Sequence, residues 1–231
     1  MTTKHSTLAS ILLDLGFSLA VPHIRGGGEF GRAWHEAARR RSRRIAFDDF
    51  IAAAEWLCKR RLTIPERLGV LGGSNAGLLV AGAMVQRPDL FGAVVCIAPL
   101  LDMVRYEVFD RAVRWREEYG PVEDEQDFLA LHAYSPYHCV KEFTDYPPSL
   151  FVSGDKDDRC NPAHTRKMVA LLKGRQAQRS PVLLDYLLER GHSAGLPKSV
   201  RMEALVRKVA FLCRELSVPV QFGGAYETTF R

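Results

Sequence analysis

The 231-residue chain has no long hydrophobic run, no CxxC pair, no internal repeat and no low-complexity linker, and each absence removes a class of protein. No stretch approaches the roughly 20 apolar residues of a membrane-spanning helix, so no membrane partner is expected. Met1 is followed by polar residues without the apolar core of a secretory signal. Cys58, Cys96, Cys139, Cys160 and Cys213 are scattered and odd in number. That pattern suits free thiols in a reducing compartment, and a cytoplasmic location is expected. The length is enough for one sizeable core, so residues 1–231 are expected to form a single domain.

The net charge of +5 equals the charge of one short run, Arg39-Arg-Arg-Ser-Arg-Arg44. The rest of the chain is near neutral, so the basic character is local. A basic run of this length can bind nucleic acid. No aromatic stacking platform accompanies it, so no nucleic-acid partner is expected and the run reads as a solvated helix face or loop.

Apolar strands alternate with amphipathic helices, which predicts a parallel sheet covered on both faces. Strands are expected at Phe17–Ile24, Leu68–Leu71, Ala93–Ile97, Ser149–Ser153 and Val182–Leu188. Helices are expected over Asp48–Arg60, Leu78–Gln86, Ala163–Lys173 and Val200–Leu216, where apolar residues recur at core spacing.

The segment Arg67-Leu-Gly-Val-Leu-Gly-Gly-Ser-Asn-Ala-Gly77 reads as a strand, a tight glycine turn and a helix, with Ser74 at the apex. That is the layout of a nucleophile elbow. A turn serine capping the next helix is the plain alternative. Gly72, Gly73 and Gly77 favour the elbow, because they permit the close approach it requires. A dinucleotide fingerprint fails, since Ser74 stands where a glycine is needed. A serine hydroxyl needs a base within hydrogen-bond reach, and the base needs a carboxylate to fix its tautomer. His192 and the aspartates of Asp155-Lys-Asp-Asp158 each follow a predicted strand, where open α/β sheets collect functional groups. The order Ser, Asp, His is that of α/β-hydrolases. Ser74 is the expected nucleophile, His192 the base, Asp157 the orienter and the Asn75 backbone N–H an oxyanion donor. Asp155 and Asp158 compete with Asp157, and spacing alone does not separate them.

Seven stretches together resemble the catalytic domain of the prolyl oligopeptidase family of serine peptidases. They are Ile24-Arg-Gly-Gly-Gly-Glu-Phe-Gly31 with Trp34-His35; Phe47-Asp-Asp-Phe50; Gly72-Gly-Ser-Asn-Ala-Gly77; Gln86-Arg-Pro-Asp-Leu-Phe-Gly92; Tyr134-Ser-Pro136; Asp155-Lys-Asp-Asp-Arg159; and Gly191-His192. The resemblance implies an α/β-hydrolase fold and makes Asp157 the triad acid. It implies that Arg159 binds a substrate carbonyl. It places Trp115 and Tyr119 in a proline-binding pocket, with Leu100 and Cys160 on its walls. The chain departs from the family in carrying Ala76 where glycine is more frequent. It also lacks a match to the family's upstream β-propeller, to its first sheet strands and to the tyrosine that supplies a second oxyanion donor. The simpler expectation is an N-terminally truncated hydrolase domain, the C-terminal part of a longer enzyme; the alternative is that the stretch Val218–Phe230, or a second subunit in a homo-oligomer, completes the sheet edge left by those strands.

The leading expectation is a serine hydrolase that cleaves peptides after proline through an acyl-enzyme on Ser74. A carboxylesterase acting on short-chain esters at an open site is the alternative. A non-catalytic remnant, binding through the arginine run, is a third. No cofactor is needed for acyl transfer. No metal is expected either, because with Asp157 in the triad no closed ligand set remains among Asp155, Asp158 and His164.

Overall fold

The computed structural model describes residues 6–109, 112–192 and 197–219. Its centre is a sheet of β1 (Gly69–Gly73), β2 (Ala93–Ile97), β3 (Ser149–Gly154) and β4 (Val182–Leu187), all parallel and in chain order. Parallel neighbours need crossovers, and helices supply them. In chain order the helices are α1 (Thr7–Asp14), α2 (Arg32–Glu36), α3 (Arg44–Lys59), α4 (Asn75–Gln86), α5 (Arg116–Tyr119), α6 (Glu125–Tyr134), α7 (Pro136–Cys139), α8 (Pro162–Lys173) and α9 (Lys198–Glu215).

The strand period of two divides the core between the two faces. Val94, Cys96 and Phe151 pack with Ile51 of α3, Met84 of α4 and Met168 of α8. Ala93, Val95, Leu150 and Val152 face the other way, onto Leu12 of α1, Phe211 and Leu212 of α9, and Leu216 just after it. Both faces of β2 and β3 are therefore buried, which is why these segments read as continuous apolar runs.

The expected strand at Phe17–Ile24 is a correction. The segment has no regular secondary structure and lies outside the sheet, with Leu19 44% and Val21 71% exposed. A strand exists only with a ladder partner, and among the described residues no strand stands beside it. Among the described residues the sheet ends at β1, whose single neighbour is β2 and whose Leu71 is 37% exposed. Of the stretch expected to complete this edge, Val218 packs against the α1–α9 face, and residues 220–230 lie outside the described residues. Two helices begin earlier than the periodicity indicates. α3 starts at Arg44 rather than Asp48, because Ala46 and Phe47 extend its buried face. α4 starts at Asn75 rather than Leu78, directly after the serine.

Candidate active site

The strands run parallel, so their carboxyl ends share one edge of the sheet, and three of the expected residues follow those ends. Ser74 follows β1 with φ 56° and ψ −119°, a left-handed conformation that costs a non-glycine residue energy. Its N–H is tied to the Ile97 carbonyl at 2.8 Å, which fixes the turn to β2. Gly72 and Gly77 are sterically required. A Cβ on Gly72 would lie 2.1 Å from the Ala76 carbonyl oxygen, and one on Gly77 would lie 2.7 Å from Pro99 Cβ.

Asp157 lies in the turn after β3 and its side chain is fully buried. Its Oδ1 accepts the backbone N–H groups of Arg159 at 3.0 Å and Cys160 at 2.8 Å. Its Oδ2 meets Nδ1 of His192 at 2.8 Å, in the loop after β4. The choice among three aspartates that spacing leaves open is thereby explained. Asp155 instead accepts the Arg190 N–H at 3.0 Å, while Lys156 N–H donates to the Arg190 carbonyl at 2.8 Å. Asp155 therefore laces the two loops together and Asp157 meets the imidazole. Asp158 is exposed.

Cys160 touches the other members of the group. Its Sγ is 3.7 Å from Ser74 Oγ, and its N–H is held by Asp157. The Asp157 carboxylate first, then the Cys160 side chain, push the His192 imidazole up to about 9 against the opposing effect of burial. Leu100, Tyr119 and Cys160 are buried in one apolar cluster, with Trp115 packed against it. Trp115 and Tyr119 meet edge to face, with ring centroids 6.3 Å apart. Arg159 is exposed beside the turn that carries Asp157.

Residues 3–218 match the prolyl oligopeptidase family. This chain is a member of that family. It is 41% identical over 191 residues to a prolyl endopeptidase of Elizabethkingia miricola, covering 82% of this chain and 27% of the relative. It is 38% identical over 205 residues to a prolyl endopeptidase of Dictyostelium discoideum, covering 87% of this chain and 27% of the relative. A solved chain from a structural and mechanistic study of two prolyl endopeptidases superposes with a TM-score of 0.83 at 46% identity, covering 85% of this chain and 29% of that one. A post-proline cleaving enzyme from Rickettsia typhi gives 0.82 at 38% identity, covering 85% and 28%. The prolyl oligopeptidase-family chain thus has the α/β-hydrolase fold of the catalytic domain, and it spans little more than a quarter of its relatives' length.

The arginine run of this family member is only in part the solvated face expected: Arg41 and Arg44 are exposed, but most of the run is paired with acidic residues far along the chain. Arg40 and Arg41 reach the fully buried Asp127 at 2.5 and 2.8 Å, and Arg41 also meets Asp124 at 2.8 Å. Arg39 pairs with Glu117 at 3.0 Å. Arg43 is itself buried, between Glu118 and the Asn75 side chain. Sequence reasoning missed Arg43 because its partners lie 32 and 75 residues away. The available signal was the acidic stretch Glu117 to Asp127, which balances the run.

Proposed function

We propose that this chain is the catalytic domain of a serine peptidase of the prolyl oligopeptidase type, folded as one unit and acting on peptides after proline. Ser74 Oγ attacks the scissile carbonyl and His192 accepts its proton. Asp157 holds the imidazole in the tautomer that accepts at Nε2 and stabilises the imidazolium. The Asn75 N–H, at the start of α4 with no helical acceptor, receives the developing oxyanion. His192 then returns its proton to the departing amine, and water repeats the sequence to release the acid and free Ser74. Arg159 binds a carbonyl of the bound peptide. Trp115 and Tyr119, with Leu100 and Cys160 behind them, take the flat apolar proline ring.

The observation that carries this reading is the 2.8 Å contact between buried Asp157 and His192 at the same sheet edge as the strained Ser74 turn. The relatives named above are peptidases, which does not favour the carboxylesterase. The internal pairing of the arginine run likewise does not favour a nucleic-acid or binding module. All five cysteines are free thiols, which accords with a reducing, cytoplasmic setting. A fluorophosphonate, which phosphonylates an activated serine and releases fluoride, tests the reading. The folded protein should label at Ser74, Ser74→Ala should not, and a proline-containing chromogenic peptide should turn over faster than a short-chain p-nitrophenyl ester relative to their uncatalysed rates. A folded protein that takes no label would refute it.

A further inference from the structure

Asn75 follows directly on the strained serine, and its side chain is held on two sides. Its Oδ1 accepts hydrogen bonds from the Arg43 guanidinium and from the Tyr119 hydroxyl, the latter at 2.9 Å. Burial raises the Tyr119 phenol well above its ordinary range, so it stays protonated and donates. Arg43 also reaches Glu118 Oε1 at 2.5 Å, and its guanidinium carbon lies 5.1 Å from the centre of the Tyr119 ring. Glu118 is tied in turn to His35 Nε2 at 3.2 Å. One buried cation therefore joins three segments: the start of α3, the serine turn, and the α5 segment that carries Trp115 and Tyr119.

We infer that Arg43 is a positioning residue for the reaction, acting through the Asn75 side chain to fix the peptide plane that presents the Asn75 N–H to the substrate oxygen. This rests on the serine-peptidase reading above. The physical need is specific to this place. A backbone at φ 56° on a serine persists only where its surroundings over-determine it, and the residue after it has no i−4 partner for its N–H. The two donors on Oδ1 supply that restraint from outside the helix. The Arg39–Arg41 part of the run has a separate task, clamping the Glu117–Asp127 segment without touching Asn75. Arg41 is therefore the internal control for a purely structural contribution.

The test compares wild type, Arg43→Met, Asn75→Ala, their double variant and Arg41→Met in the full chain. Three readouts are taken: the second-order rate of fluorophosphonate labelling, kcat and KM on a proline-containing chromogenic peptide, and the Asn75 amide resonance in a 15N-correlated spectrum. Arg43→Met and Asn75→Ala should each lower the labelling rate and kcat by roughly ten- to a hundredfold. KM should stay within about twofold of wild type. The double variant should be no slower than the worse single, because both remove one restraint. Arg41→Met should lower thermal stability but leave the labelling rate and the Asn75 resonance in place. Multiplying single effects in the double variant, or an Asn75 resonance unmoved in Arg43→Met, would overturn the inference. A wild-type protein that takes no label sinks the peptidase reading alone, since the resonance still reports whether Arg43 holds Asn75. If Arg43→Met fails to fold, Asn75→Ala alone decides: labelling at the wild-type rate overturns the inference.

Discussion

On the proposed serine-peptidase reading, the Asp157–His192 pair should set activity and stability against each other as pH rises, and this opposition can be measured. The imidazole is pushed up to about 9, chiefly by the carboxylate, from about 6.5 in the unfolded chain. A base must be neutral to accept the Ser74 proton, so the labelling rate and kcat/KM should climb through the whole range between these values and level off only above about pH 9. Stability should run the other way. A group whose proton is held more tightly in the folded state contributes its full stabilisation below the unfolded value, and that contribution is lost as pH passes the folded one. The gap corresponds to about 3 kcal/mol, an upper figure because the His192 side chain keeps 16% of its surface in water. The assay is the labelling rate from pH 5 to 10, with urea unfolding at the same points for wild type and His192→Gln. The difference in unfolding free energy should shrink toward zero between pH 6.5 and 9 as the wild-type rate rises. In Asp157→Asn the rate limb should move back toward pH 6.5, and its plateau should fall by about 10⁴-fold. A wild-type rate limb already complete at pH 7, or a stability difference flat across this window, would refute the reasoning.

His164 should give an acid-side effect of the opposite kind. It is fully buried, its Nδ1 accepts the N–H groups of Leu101 and Asp102 at 3.3 and 3.0 Å, and burial pulls it down to about 4 despite nearby Asp102 and Asp157. The unfolded chain therefore takes up a proton first, and about 3 kcal/mol of stability should drain away as pH falls from 6.5 to 4. His164→Gln should be less stable at pH 7 but flatter in urea titrations over that range. Gly72→Ala should cost about 1–3 kcal/mol or more and abolish fluorophosphonate labelling, because the new methyl meets the Ala76 carbonyl within the turn. A variant that labels normally would contradict the close approach. Trp115→Ala should raise KM for the proline peptide while the labelling rate stays near wild type, which separates the pocket from the nucleophile. Asp155→Ala should slow labelling at unchanged Ser74 geometry, because it unties the Arg190 backbone that leads into His192; a wild-type rate would count against that role.

What was legible in the sequence was legible for local reasons. Ala93–Ile97 and Ser149–Ser153 are buried on both faces, so their composition alone marks them as strands, and they lie side by side in the centre of the sheet. The serine turn was legible because glycines on both sides of one serine satisfy a steric demand that few other arrangements create. Phe17–Ile24 was not, because an apolar segment becomes a strand only where a neighbour is there to bond. α1 also escaped the apolar pattern, although Ser6, which caps it through the Ala9 N–H at 3.3 Å, was its available signal.

By itself the sequence determined the alternation of parallel strands and helices, the glycine-flanked serine turn, and the chain order that brings a serine, an aspartate and a histidine to one sheet edge. These follow from periodicity and local sterics, which act over a few residues. Only the tertiary structure decided which aspartate meets the imidazole, since Asp155 and Asp157 differ in the direction their side chains take rather than in their spacing. It also decided that most of the basic run is paired with distant acidic residues, while Arg44 stays exposed. Arg39, Arg40, Arg41 and Arg43 find their counter-charges 75 to 87 residues away, and a Coulombic partner at that separation has no periodicity to announce it.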